Sequence, residues 1–173
     1  IVMEHRILIG VTGASGAIYA ERLIEILLPI VPRIYLVTTE AGEQVVQHEL
    51  RPKAESFSLA RAVKGELLPE EKNVIRLLKR DDFFAAVASG SSAPTSVVVL
   101  PCSMGTLARI THGISSNLLD RAADVVLKQK KQLIMVPRET PLNTIHLRNM
   151  LSLAEMGAQI IPPVPAFYQQ PKS

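Results

Sequence analysis

Five short stretches of this chain carry residue types whose spacing suits chemistry. The first reads Gly10-Val11-Thr12-Gly13-Ala14-Ser15-Gly16-Ala17. Its glycines allow a tight turn and close approach to an anion. A helix starting here would offer free N–H groups and the positive end of its dipole, so phosphate is the natural ligand. The GxxGxxG spacing is not the dinucleotide GxGxxG, and no Gly-Lys-Ser/Thr follows, which excludes a Walker loop. Ser15 puts a hydroxyl at the mouth of that helix, suited to N-capping or to catalysis.

The second stretch is Pro101-Cys102-Ser103-Met104-Gly105-Thr106-Leu107, where small and hydroxyl residues let a flat ligand lie against the backbone. Cys102 has no paired histidine nearby, and a lone thiol beside a buried strand reads as a small core residue. In the third, Asn117 to Lys128, Arg121 and Lys128 stand seven apart and return to nearly the same helix face. They could clamp a phosphate; the alternative is a solvated face with Asp124 and Lys128 as an i, i+4 pair. The fourth, Pro137-Arg138-Glu139-Thr140-Pro141-Leu142, offers Arg138 to a phosphate or carbonyl and Glu139 for proton transfer, or else a simple salt bridge. In the fifth, Pro162-Pro163-Val164-Pro165-Ala166-Phe167-Tyr168, stiff prolines set a phenol that binds phosphate or packs in a core. His5, His48, His112 and His146 show no metal-ligand spacing, so no metal is expected.

These stretches need elements to hold them. An apolar run at 6–12 predicts a strand buried on both faces. Ala20, Leu23, Ile24 and Leu27 then line one side of a helix, with Glu21, Arg22 and Glu25 on the other, ending before Pro29 and Pro32. Strands are predicted at 34–38, 96–100, 133–136 and 159–161, with a weaker one near 84–87. Helices are predicted at 40–49, 103–111 and 116–129. Thr140 and Pro141 suit an N-cap and first position of another helix, with Leu147, Met150, Leu151 and Ala154 buried and Gly157 ending it. Residues 50–82 are the least orderly part, with a short helix at 70–79 and no evident chemistry. The stretch 85–94, rich in Ala and Ser, reads as exposed. Alternating strands and helices predict one α/β domain over 1–173, a mostly parallel sheet covered by helices on both faces. Ligands then bind beyond the strand carboxyl ends, after Thr12, Val37, Leu100 and Val136.

Composition narrows the classes. The 173 residues are 47% hydrophobic and 20% charged, as in a soluble globular protein. No apolar run approaches the roughly 20 residues of a membrane span, and the N-terminus does not read as a signal peptide. The single cysteine suits a reducing compartment, so a cytoplasmic protein is expected. The net charge of +3 comes from scattered basic residues, mostly beside acids; only Lys128, Lys130 and Lys131 cluster. With no Trp to stack on bases, nucleic acid is not expected as a partner.

Taken together, GVTGASGAIYA (10–20), VVLPCSMGTLARI (98–110), NLLDRAADVVLK (117–128), PRETPL (137–142), HLRNML (146–151) and PPVPAFY (162–168) resemble the flavin prenyltransferases of the UbiX type. They span most of the chain outside 50–82. RAADVVLK, PRETPL and PAFY in this order are highly specific. The wider family of homo-oligomeric flavin-containing cysteine decarboxylases shares the fold and a related P-x-S-x-x-T loop but not that combination.

The resemblance implies a three-layer Rossmann-like (flavodoxin-like) fold. It implies FMN held by Gly13, Ala14, Ser15, Thr39, Ser103, Met104, Gly105, Thr106 and Arg138. It also implies dimethylallyl monophosphate met by Lys128, Glu139, Tyr168 and, from a neighbouring subunit, Arg121. The family joins the prenyl carbon to N5 of reduced FMN and closes a ring at C6, without a metal. It forms dodecamers and supplies prenylated FMN to UbiD-type decarboxylases, as in ubiquinone biosynthesis. Glu49, Glu139, or Ser15 with the released phosphate are candidates for the C6 proton acceptor. The family usually continues beyond PAFY into a C-terminal helix with a further phosphate-binding arginine. This sequence stops at Ser173, which reads as truncation or disorder. Two other readings remain: an FMN-dependent cysteine-type decarboxylase, with His48 standing in for its catalytic histidine, and a non-catalytic FMN-binding accessory subunit.

Overall fold

The apolar runs become neighbours in one sheet. A computed structural model of the chain describes residues 5–169; the expectations about the start of the chain and its ending at Ser173 lie outside them. β1 (Arg6–Val11), β2 (Arg33–Thr38), β3 (Ile75–Leu78), β4 (Ser96–Cys102), β5 (Gln132–Pro137) and β6 (Gln159–Ile160) line up in the order β3-β2-β1-β4-β5-β6. Every pairing is parallel. The direction of strand addition reverses between β1 and β4, so the topological switch point lies at their carboxyl ends.

Helices α1 (Ala17–Leu27), α2 (Glu40–Glu49), α3 (Leu59–Ala62), α4 (Pro69–Val74), α5 (Met104–Thr111), α6 (Leu118–Lys128) and α7 (Thr144–Glu155) connect the strands. Successive strand residues point to opposite faces, and the sheet accordingly builds two cores. Ile9, Val11, Leu36, Val98 and Leu100 pack with Ile24 of α1, Val46 of α2 and Leu59 of α3. Leu8, Val37, Val99 and Met135 pack with Leu107 of α5, Val126 of α6 and Leu153 of α7. The expected layering of helices on both faces is present.

Several local expectations differ. The helix predicted at 70–79 stops at Val74, and the chain becomes β3, paired with β2 from Ile34↔Ile75 onward. An open edge of β2 wins over local helix propensity. The strand near 84–87 is a 3-10 turn, Ala86–Ala88, because β1 and β5 already occupy both sides of β4. The stretch 85–94 is not simply exposed, since Val87, Ala88 and Ala93 are buried. Glu21, expected on the wet side of α1, is buried; it accepts the Leu59 N–H at 2.9 Å and pairs with Lys53. α7 starts at Thr144, not after Thr140. Asn143 caps it by accepting the His146 N–H, while the His146 ring accepts the Asn143 N–H. Its buried residues are Asn149 and Leu153, whereas Leu147 and Leu151 are 52% and 59% exposed. Gly157, with φ 101°, follows α7 as expected. Among the described residues no helix is long and apolar enough to cross a membrane.

Candidate functional site

The carboxyl ends of the four inner strands are tied together by a few bonds. Pairing of β1 with β4 ends at Gly10↔Val99. Pro101 has no N–H for a ladder, and the β4–β5 register shifts between Val99 and Cys102. Thr12, buried, bridges the gap: its hydroxyl donates to the Pro101 carbonyl at 2.7 Å and accepts the Ser103 N–H at 2.8 Å. The Thr39 N–H donates to the Val11 carbonyl at 3.0 Å, tying β2 to β1. The Arg138 N–H donates to the Cys102 carbonyl at 3.2 Å, tying β5 to β4.

Hydroxyls start the helices that leave this platform. Thr39 caps α2 by accepting the Gly42 N–H at 3.0 Å. A Cβ on Gly42 would stand 2.4 Å from the Val11 oxygen, so only glycine lets α2 sit so close to the end of β1. Ser103 caps α5, accepting the Thr106 N–H at 3.3 Å and donating to the Thr106 hydroxyl at 3.1 Å. Met104 and Gly105 form the first turn of α5. A Cβ on Gly105 would meet nothing closer than Arg109 Nη1 at 3.7 Å, so the backbone there is bare. Gly13 and Ser15 are exposed and Ala14 is buried.

The mouth of α1 corrects the sequence reading. Its N-cap is Gly16, with φ 118°, not Ser15. The anion there belongs to the chain: the Glu49 carboxylate accepts the N–H groups of Gly16 at 3.0 Å and Ala17 at 2.9 Å. Burial pushes the Glu49 pKa up. Hydrogen bonds from the Ser15 hydroxyl and the two N–H groups, with the Arg138 charge, outweigh that and hold it below its ordinary 4.5. Glu49 is therefore ionised at neutral pH. Gly13, Ala41, Gln44, Val45, His48 and Glu49 line a recess of about 310 Å³ beside it. A larger cleft of about 540 Å³ lies at the β2–β3 edge, lined by Thr38, Glu43, Lys64 and Arg80 among others. Size and charged lining favour that cleft; the recess adjoins Gly13 at the carboxyl end of β1 and the fixed carboxylate of Glu49.

The remaining candidates are more dispersed. Glu139 is exposed beyond β5, its carboxylate accepting the Thr140 N–H at 2.9 Å. Tyr168 is 85% exposed in the 3-10 turn Phe167–Gln169 that follows β6. Arg121 pairs with Asp124 at 3.2 Å, in place of the considered Asp124–Lys128 pair. The Leu118 N–H at the start of α6 donates to the Arg80 carbonyl, just past the carboxyl end of β3. Beyond its end, Lys131 reaches the Ala93 carbonyl, just before β4 begins. α6 thus runs the depth of the sheet, about 15 Å, and exposed Lys128 stands at the end opposite Ser103.

Burial pushes the Cys102 thiol pKa up, and its S–H donates to the Ser103 carbonyl, as suits a core residue. Among the described residues no cluster of three His, Cys, Asp or Glu could hold a metal. Sequence reasoning missed Thr12, which reads as the end of an apolar strand. It also missed the seat of Glu49, although an acid in the last turn of a helix opposes the dipole and so signals an outside partner.

The flavoprotein family model matches residues 2–170. A flavin prenyltransferase UbiX of Halalkalibacterium halodurans is 46% identical over 165 residues, 95% of this chain and 79% of that protein. The crystal structure of AnUbiX (PadA1) in complex with FMN and dimethylallyl pyrophosphate superposes with a TM-score of 0.85 at 35% identity, covering 98% of this chain and 84% of that one. A dodecameric FMN-dependent UbiX-like decarboxylase of Escherichia coli O157:H7 gives 0.84 at 36% identity, covering 97% and 84%.

Proposed function

The chain belongs to the flavoprotein family, and we propose that it works there as a UbiX-type flavin prenyltransferase, joining a dimethylallyl group from dimethylallyl monophosphate to N5 and C6 of reduced FMN. The observation that carries this reading is the platform at the β1–β4 switch point, with ionised Glu49 and Ser15 beside it. Its residues fit FMN: bare backbone at Gly105 admits a flat ring, Gly13 is exposed at the end of β1, and the hydroxyls of Thr39, Ser103 and Thr106 with the Arg138 charge suit carbonyl and phosphate oxygens. FMN supplies the nucleophilic nitrogen and carbon.

In the net reaction the allylic C–O bond breaks, its electron pair leaving with phosphate. Bonds from the prenyl carbons replace N–H at N5 and C–H at C6; of the two protons released, one saturates the prenyl C=C as the ring closes and the other leaves with the phosphate. The chain's part is to hold the departing phosphate, keep water out and accept a proton. Glu49 is the preferred acceptor because the Gly16 and Ala17 N–H groups fix its carboxylate at the mouth of α1; Glu139, or Ser15 with the released phosphate, are the alternatives.

Lys128, Arg121, Glu139 and Tyr168 are the proposed clamp. The position of Lys128, opposite the platform, supports a clamp shared between subunits, and exposed Ile145, Leu147 and Leu151 on α7 support a homo-oligomer, proposed as a dodecamer like the Escherichia coli neighbour. The product goes to a UbiD-type decarboxylase, in the cytoplasm, and residues 1–173 act as one FMN-binding domain. The test is anaerobic incubation of the protein with reduced FMN and dimethylallyl monophosphate, followed by mass spectrometry of the released flavin. A flavin heavier by one five-carbon unit is expected. Unmodified FMN from protein that binds it would sink the transferase reading and leave the decarboxylase or the accessory subunit.

A further inference from the structure

We propose that Thr12 is a positioning residue for flavin binding, holding the Ser103 loop in register with the Gly13–Ser15 loop; this rests on the flavin reading above. Thr12 is 0% exposed, so it acts through other groups and not on the ligand directly. A hydroxyl has one proton, and that of Thr12 goes to the Pro101 carbonyl at 2.7 Å. Its oxygen is left to accept the Ser103 N–H at 2.8 Å. The direction of both bonds is thereby fixed.

The consequence runs into the proposed site. Ser103, placed by Thr12, caps α5 and donates to the Thr106 hydroxyl. Thr12 is also the residue directly before Gly13. One buried hydroxyl therefore sets the spacing between the two loops proposed to grip the flavin, at the point where the β1–β4 ladder has ended at Gly10↔Val99. The Thr12 N–H gives the Pro101 carbonyl a weaker second bond at 3.3 Å. No side chain other than Thr12 bonds the Ser103 N–H among the described residues. Losing the hydroxyl leaves that donor unpaired and the α5 cap free to shift.

The test compares Thr12→Val, which removes the hydroxyl and keeps the β-branch, with Thr12→Ser, which restores it, both in the full chain. FMN affinity, the visible absorption bands of the bound flavin, and kcat and KM for dimethylallyl monophosphate are measured. Thr12→Val is expected to weaken FMN binding about tenfold and to move the bands toward those of free FMN. The KM for dimethylallyl monophosphate should change less than about twofold, and Thr12→Ser should recover wild-type binding and bands. Wild-type affinity and bands in Thr12→Val overturn the proposal, as does a folded Thr12→Ser that recovers neither. Should Thr12→Val not fold, Thr12→Cys, a weak hydrogen-bonder of serine-like shape, replaces it: intermediate affinity supports the proposal and wild-type affinity overturns it. Wild-type protein that binds no FMN sinks the flavin reading itself, which separates the two failures.

Discussion

The flavin side of the proposed site is tied together by short bonds between four strand ends of one chain, whereas the groups proposed for the prenyl phosphate are spread over the outer side of α6, the loop after β5 and a proline-rich segment. Thr12, Thr39 and Arg138 lock β1, β2, β4 and β5 to one another. Arg121 and Lys128 lie along α6, and Tyr168 stands 85% exposed. A parallel sheet forces its strand ends into register, so a platform built from them is pre-formed in a single subunit. A helix surface carries no such constraint. On the proposed function, the difference teaches that the flavin side is built from strand ends of one fold, while the prenyl side relies on groups that the sheet does not hold together.

The contrast can be tested from its strongest consequence downward. Glu49→Gln removes the charge of the proposed acceptor but keeps the shape of the side chain. Prenylated flavin formation should fall roughly a hundredfold to ten-thousandfold, read by mass spectrometry under anaerobic turnover. The same group sets an acid limit. Its folded pKa is lowered, so its contribution to stability is complete above the ordinary 4.5 and is lost as pH falls through the lower folded value. A pH profile of thermal stability should show this loss below pH 4.5, and Glu49→Gln should remove it.

Arg138→Ala should weaken FMN binding roughly ten- to hundredfold, the worth of a charged hydrogen bond, measured by fluorescence titration. Lys128→Ala should leave FMN affinity unchanged and raise the KM for dimethylallyl monophosphate about tenfold. Mixed assemblies of the Arg138→Ala and Lys128→Ala chains should be more active than either alone; equal activity would break the idea of a shared clamp. The smallest effect belongs to Cys102, buried and with its thiol pKa pushed up. Cys102→Ala should cost about 1 kcal/mol of stability in a denaturant melt and change neither flavin binding nor turnover.

The strands beneath the platform were more legible in the sequence than the bonds that tie their ends, for a physical reason. Strands such as Ser96–Cys102 are buried on both faces, so their apolar runs stand out without knowledge of any partner. β3 could not be read this way: its four residues are a strand only because β2 offers a free edge. The periodicity of α7 showed that Leu147 and Leu151 share an apolar side. It could not show that α5 covers the opposite side, with Asn149 and Leu153, and leaves these two bare. The seven-residue spacing placed Arg121 and Lys128 on one face of α6. It did not say which end of the sheet each would reach, because that depends on the direction in which the helix crosses it.

The two outer strands carry a consequence for how copies of the chain can meet. β3 is four residues long, bears the exposed Arg76 and runs directly into Lys79 and Arg80. β6 is two residues long and is followed, after Ile161, by Pro162 and Pro163, which have no N–H to offer a further strand. Short, charged or proline-ended borders discourage strand-to-strand addition between molecules. A crowded solution of this protein is therefore steered away from continuous sheets and fibres. Contact is left to helical surfaces such as the outer side of α7, where assembly can close into a finite, countable object.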